Sequence, residues 1–223
     1  MVQAVILDLD GLMVDTEPLH QRAFNALLRQ HGIDYQFETA EYGKFFVGIP
    51  IIYNVDYLKQ RFDLSGTPDE IRNEREQIYE EIISDPNNLV AMPGVFKLLD
   101  DLQARGLPLA VASGSPRVQV EMILRGLGIM QRFRAVVAGS DVAKTKPAPD
   151  VYLRALELLR AAPNDCVALE DSATGVTSAK AAGLRMIVVP NQYTAHQDLS
   201  QADVVIPSLE VALGYVLNGQ VVS

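Results

Sequence analysis

The sequence predicts an α/β fold: a doubly wound parallel sheet with an α-helical domain inserted after its first strand. Three observations carry this reading. Short apolar, β-rich runs alternate with amphipathic helical stretches, the pattern of a parallel sheet covered on both faces. The first two runs are separated by far more chain than the roughly 30 residues of a βαβ unit. The excess reads as helix rather than as loop.

Strands are expected at 2–7, 107–112, 135–138, 166–169, 186–189 and 203–206. The intervening helices have local signals. Residues 94–105 follow Pro93-Gly94 and stop at Gly106. Residues 116–127 are expected to start with Ser115 as N-cap and Pro116 at the first helical position. Helices also read at 148–160, 172–182 and 208–217. In the inserted segment, 17–31 has Pro18 in its first turn, an apolar face at Leu19, Ala23, Leu27 and Leu28, and Gly32 as a stop. Residues 68–84 open on Thr67-Pro68-Asp69-Glu70, a capping box with proline at the first position, and carry a stripe of Ile71, Ile78 and Ile82. Asp15 is expected to cap the helix that enters the inserted domain. The expected division is 1–15 with 93–223 as the core domain and 16–92 as the helical domain.

Composition narrows the function. The chain has 223 residues and a formal net charge of −9, which disfavours a nucleic-acid or anionic-membrane surface. A phosphorylated substrate is still compatible, because one cation and one lysine reverse the local sign. Cys166 is the single cysteine, so no internal disulfide forms, which fits a reducing cytoplasm. No run approaches the roughly 18 apolar residues of a membrane span. The first strand begins near Val2, which leaves no room for a signal peptide. A cytoplasmic protein, monomeric or weakly homo-oligomeric, is expected.

The chemistry-bearing residues fall at strand ends, where open α/β sheets bind ligands. The first strand ends in Asp8-Leu9-Asp10-Gly11 and the second in Ala112-Ser113-Gly114-Ser115. A loop after the third carries Lys144-Thr145-Lys146-Pro147, and the fourth ends in Leu169-Glu170-Asp171-Ser172. Carboxylates at the end of a buried strand are costly unless paired. A bound cation and a reaction that needs two acids side by side account for them. No two of the three histidines have metal-ligand spacing, which disfavours zinc.

These four motifs, in this order and over essentially the whole chain, resemble the haloacid dehalogenase-like superfamily, in its branch of helical-cap phosphatases and phosphomutases. The resemblance implies a Rossmann-like core with an α-helical cap. It implies Asp8 as the nucleophile that forms an aspartyl-phosphate, and a Mg²⁺ ion held by Asp8, Asp171, Glu170 and the Asp10 backbone carbonyl. The Asp10 side chain would protonate the leaving oxygen and then deprotonate the attacking water. Ser113 and the amides of Gly114 and Ser115 would cradle phosphate oxygens at a helix N-terminus. Lys146 would offset transition-state charge, and Gly11 would let the backbone approach the phosphate. His20, near the start of the first cap helix, stands where a mutase histidine coordinates transfer with cap closure. A polar helix residue is the competing reading. Lys144 is expected to be solvated, and Cys166 to be inert core.

Asp10 separates this chain from dehalogenases and phosphonate-cleaving relatives, which lack an acid there. Phosphomonoester hydrolysis or phosphoryl transfer between sugar positions is therefore favoured, and of the two hydrolysis of a small phosphomonoester is preferred. A beta-phosphoglucomutase-like phosphomutase is the alternative, but it needs a cationic clamp in the cap. The corresponding stretch, Val47-Gly48-Ile49-Pro50-Ile51-Ile52, has no arginine. Lys44 and Lys59 are the candidate substitutes. An inactive binding protein on the same fold is the third reading.

Overall fold

The computed structural model describes residues 2–49 and 51–218; Pro50 of the expected cap stretch lies outside the described residues. The chain forms two compact units, 1–15 with 90–223, and 16–89.

The first unit holds a six-stranded sheet. Its strands are β1 (Ala4–Leu7), β2 (Leu109–Ala112), β3 (Ala135–Val137), β4 (Cys166–Glu170), β5 (Arg185–Val188) and β6 (Val204–Val205). All pairings are parallel, in the order β3-β2-β1-β4-β5-β6. This is the doubly wound order, and the direction of winding reverses between the two neighbours of β1. The central strands are apolar on both faces because both are covered. Ile6, Ala110, Val137, Ala168 and Met186 share one core with Val151, Tyr152, Leu156 and Val176. The alternate residues Val5, Leu7, Val111, Val167 and Ile187 point the other way and are equally buried.

The second unit carries α1 (Glu17–Gln30), α2 (Thr39–Phe45), α3 (Ile51–Phe62) and α4 (Pro68–Ser84). The first unit continues with α5 (Val95–Ala104), α6 (Arg117–Gly126), α7 (Asp150–Leu159), α8 (Ala173–Ala181) and α9 (Ala212–Asn218). The capping box forms as expected: the Glu70 amide donates to Thr67 Oγ1 at 3.2 Å and the Thr67 amide to Glu70 Oε2 at 2.7 Å. Among the described residues no helix is long and apolar enough to cross a membrane.

Four local expectations are corrected. The helical unit ends at Leu89 rather than at 92. The two connecting segments pair with each other, the Asp15 amide on Val90 O and the Met92 amide on Met13 O, so 90–92 belongs with the sheet unit. Thr16, not Asp15, is the N-cap of α1, and no side chain caps it. Pro116 is the N-cap of α6 rather than its first residue, and the Ser115 hydroxyl donates to Asp10. On α4 the buried stripe is Ile71, Arg75, Ile78, Tyr79 and Ile83, while Ile82 is only half-buried.

Candidate active site

Register places the acids together. Leu7 lies opposite both Val111 of β2 and Leu169 of β4, so Asp8 leaves the sheet at the level of Ala112 and Glu170. The Asp8 amide donates to Leu169 O at 3.0 Å, which holds the two strand ends side by side. Beyond Asp10 the chain turns at Gly11, whose φ of 80° is left-handed. A Cβ there would stand 2.4 Å from Asp171 Oδ2, so the close approach needs glycine as much as the turn does.

Asp8, Glu170 and Asp171 each offer a carboxylate oxygen within 4.8 Å of the others, and all three are buried. Lys146 answers them. Its Nζ donates to Asp8 Oδ1 and to Glu170 Oε1, each at 2.5 Å. Burial, then the Glu170 charge, pushes the Asp8 carboxyl well above the usual range, although Lys146 opposes this. Burial on its own would lower the lysine, but Asp8 and Glu170 outweigh it and hold Lys146 charged. Lys146 thus ion-pairs with two of the three buried acids, Asp8 and Glu170. Hard oxygen donors in this number suit a divalent cation such as Mg²⁺.

The Asp10 side chain stands apart from that group. Its Oδ2 accepts from Ser115 Oγ at 2.8 Å and from Ser113 Oγ at 3.1 Å, while its Oδ1 is buried without a hydrogen-bond partner. The expected phosphate cradle is partly closed on itself. The Ser115 amide donates to Ser113 Oγ at 3.0 Å and the Ser113 amide to Val137 O, whereas Gly114 is exposed.

Two contributors, Tyr152 and Asn191, escaped sequence reading, while Gly175 closes the fourth motif, which runs from Glu170. Tyr152 of α7 donates from its hydroxyl to Glu170 Oε1 at 2.7 Å, and its ring lies 5.1 Å from Lys146 Nζ. Gly175 of α8 packs on Glu170 so closely that a Cβ would meet Glu170 Cδ at 1.9 Å. Asn191, after β5, donates to Asp171 Oδ2 at 2.8 Å. The signal for Asn191 was its place at a fifth strand end. Tyr152 gave none, since it reads as core of an amphipathic helix.

His20 lies in the helical unit. Its ring stacks on Tyr79, 4.1 Å between centroids, and its Nδ1 accepts from the Arg75 guanidinium. Burial, then Arg75, pushes its pKa well below 6.5, so the ring is neutral with its proton on Nε2. Arg75 is fully buried, with its guanidinium 4.7 Å from the Phe24 ring. Both residues line a cavity of about 130 Å³ with Glu17, Tyr42, Gly48 and Asn54. The helical unit therefore does hold a buried cation in a cavity, contributed by α4 rather than by the stretch after Gly48. Its place on the 71–75–78 stripe was the available signal. Lys59 is engaged by the carbonyls of Leu64 and Gly66, and Lys44 lies against the Phe45 ring. Lys144 is exposed and Cys166 is buried in β4.

The profile of the haloacid dehalogenase-like hydrolases matches residues 5–189. The chain belongs to this family. It is 36% identical over 219 residues to Protein CbbY of Rhodobacter capsulatus, covering 95% of each chain. It is 29% identical over 190 residues to a phosphorylated carbohydrates phosphatase of Thermotoga maritima, covering 83% of this chain and 84% of that one. Among solved structures, CbbY from Rhodobacter sphaeroides in complex with xylulose-(1,5)bisphosphate superposes with a TM-score of 0.82 at 31% identity. That match covers 95% of this chain and 96% of the other.

Proposed function

We propose that this member of the family is a Mg²⁺-dependent phosphatase that hydrolyses a small phosphorylated metabolite, of sugar-phosphate type, through a phosphorylated Asp8. The observation that carries the reading is the group of three buried carboxylates, Asp8, Glu170 and Asp171, with Lys146 paired to two of them. The kinship with a phosphatase of phosphorylated carbohydrates and with a CbbY that binds a sugar bisphosphate supports the substrate class.

Asp8 and Asp171, with Glu170 beside them and the Asp10 carbonyl, are the residues that would hold the cation. When bound, it supplies positive charge that offsets the repulsion between a carboxylate and a phosphate dianion. An Asp8 oxygen attacks phosphorus, the bond from phosphorus to the leaving oxygen breaks, and Asp10 gives that oxygen its proton. Water then attacks the phosphoryl group on Asp8, Asp10 takes the proton of the water, and the acyl-phosphate P–O bond breaks to release inorganic phosphate. Ser113 and Ser115 hold Asp10 through one oxygen, which leaves the other directed to this proton transfer. Lys146 is fixed by two carboxylates in position to offset charge on the transferring group. We further propose that the helical unit 16–89 serves as the cap, with selection among substrates arising in its own Arg75–His20 cavity.

Phosphate release from a panel of sugar phosphates and nucleotides, with Mg²⁺ and with EDTA, tests the reading. Activity is expected with Mg²⁺ only, and Asp8→Asn should abolish it. Equal release by that variant removes Asp8 from the role of nucleophile. The phosphomutase reading is favoured by one observation, the buried Arg75, which could clamp a second anionic group. Supplying beta-glucose 1-phosphate with catalytic bisphosphate decides it: isomerisation faster than phosphate release would replace hydrolysis by transfer.

A further inference from the structure

The end of β5 carries a polar residue that no motif requires. β5 runs beside β4 with Val188 opposite Glu170, and the Val189 amide donates to Glu170 O at 2.8 Å. After Pro190 the chain closes a tight turn. The Asn191 amide donates to Thr194 Oγ1 at 3.0 Å, and the Thr194 and Ala195 amides both donate to Asn191 O.

The Asn191 side chain has only one consistent orientation here. Its Oδ1 accepts from the Tyr193 amide at 2.8 Å, a backbone donor, so this end must be the oxygen. The NH₂ end then faces two groups that only accept, Asp171 Oδ2 at 2.8 Å and the Gly11 carbonyl at 3.1 Å. A Cβ on Gly11 would also lie 2.9 Å from Asn191 Nδ2, so the three residues are in mutual contact. One carboxamide thus ties the loop after β1 to the acid after β4.

The geometry points to Asn191 as a positioning residue: it holds the Asp171 carboxylate against the Gly11 turn, in the orientation in which Asp171 and Asp8 bind a divalent cation together. This rests on the cation site of the proposed function. A donor that fixes a ligating carboxylate typically sets affinity by 10- to 100-fold. The turn itself needs only an acceptor for the Tyr193 amide, which a serine hydroxyl provides. Asn191→Ser therefore keeps the turn and removes the reach to Asp171, while Asn191→Ala removes both.

The experiment is calorimetric titration of Mg²⁺ into the metal-free full chain, with wild type, Asn191→Ser, Asn191→Ala and Asp171→Asn compared. Thermal melts in EDTA and KM for p-nitrophenyl phosphate at saturating Mg²⁺ are measured alongside. Mg²⁺ affinity is expected to fall roughly 10- to 100-fold in both Asn191 variants. For Asn191→Ser, KM should stay at the wild-type value, while the EDTA melt falls because a buried carboxylate loses a donor. A purely structural asparagine would move the EDTA melt and leave Mg²⁺ affinity intact, which overturns the proposal. If Asp171→Asn binds Mg²⁺ as tightly as wild type, the cation site itself is wrong and the proposal falls with it. If Asp171→Asn loses affinity and Asn191→Ser does not, only the role of Asn191 is refuted.

Discussion

Gly175→Ala should destabilise this protein, although helix propensity alone predicts the reverse. Gly175 sits inside α8 with ordinary helical backbone, so an alanine costs no strain and would gain about 0.8–1 kcal/mol. The obstacle is Glu170. The new Cβ would stand 1.9 Å from Glu170 Cδ, against roughly 3.5–4.0 Å for relaxed carbon contact. Either α8 or the carboxylate must give way by about 1.5–2 Å, the difference between those separations. The carboxylate is held by Lys146 at 2.5 Å and by Tyr152 at 2.7 Å. A displacement of that size breaks both bonds, and each hydrogen bond to a charged group is worth about 1.5–3 kcal/mol. Subtracting the propensity gain leaves a loss of roughly 2–5 kcal/mol. For a chain of this size that lowers Tm by about 4–20 °C. Turnover should fall at least about tenfold, since Lys146 loses one of the two carboxylates that fix it. Thermal and urea melts with a phosphatase assay measure both effects. In an Glu170→Ala background the clash is gone, and the same substitution should become neutral or stabilising. A Gly175→Ala protein with wild-type Tm and turnover would refute the reasoning, as would an undiminished loss in the Glu170→Ala background.

Asp10→Asn should retain Mg²⁺ binding, because the side chain lies outside the carboxylate group, while turnover drops by about 10²–10⁴. Calorimetry showing lost Mg²⁺ affinity would contradict it. Tyr152→Phe removes one donor to a buried carboxylate and should cost about 1.5–3 kcal/mol in urea unfolding. Because Glu170, one of the two carboxylates that fix Lys146, is then held less firmly, kcat should fall with little change in KM. The third expectation concerns pH. His20 stays neutral in the fold but protonates near 6.5 when unfolded. Its contribution to stability is therefore complete above about pH 6.5 and is lost as pH falls below it. Melts of Asn-substituted His20 should show a shallower decline in Tm from pH 7.5 to about 5.5 than wild type; equal slopes would show that His20 is not held neutral.

The sequence by itself determined the sheet, the helical insertion and the set of acids and lysine at the strand ends. The reason is topological. In a parallel sheet every carboxyl strand end faces the same edge, so Asp8, Ser113 and Asp171 are brought to one place by strand order alone. The capping box at Thr67 was legible for a different reason, since its partners are three residues apart. Tertiary structure decided what each side chain does there. Ser115 donates its hydroxyl to Asp10, 105 positions away, and no side chain caps α6. Arg75 reads as one polar residue on an amphipathic helix, yet it is buried against His20 from 55 positions away. Asn191 meets Gly11 across 180 positions. Local patterns record which backbone conformations and strand ends form; the orientation of a buried carboxylate or guanidinium depends on donors and acceptors that only the packed fold brings within hydrogen-bond reach.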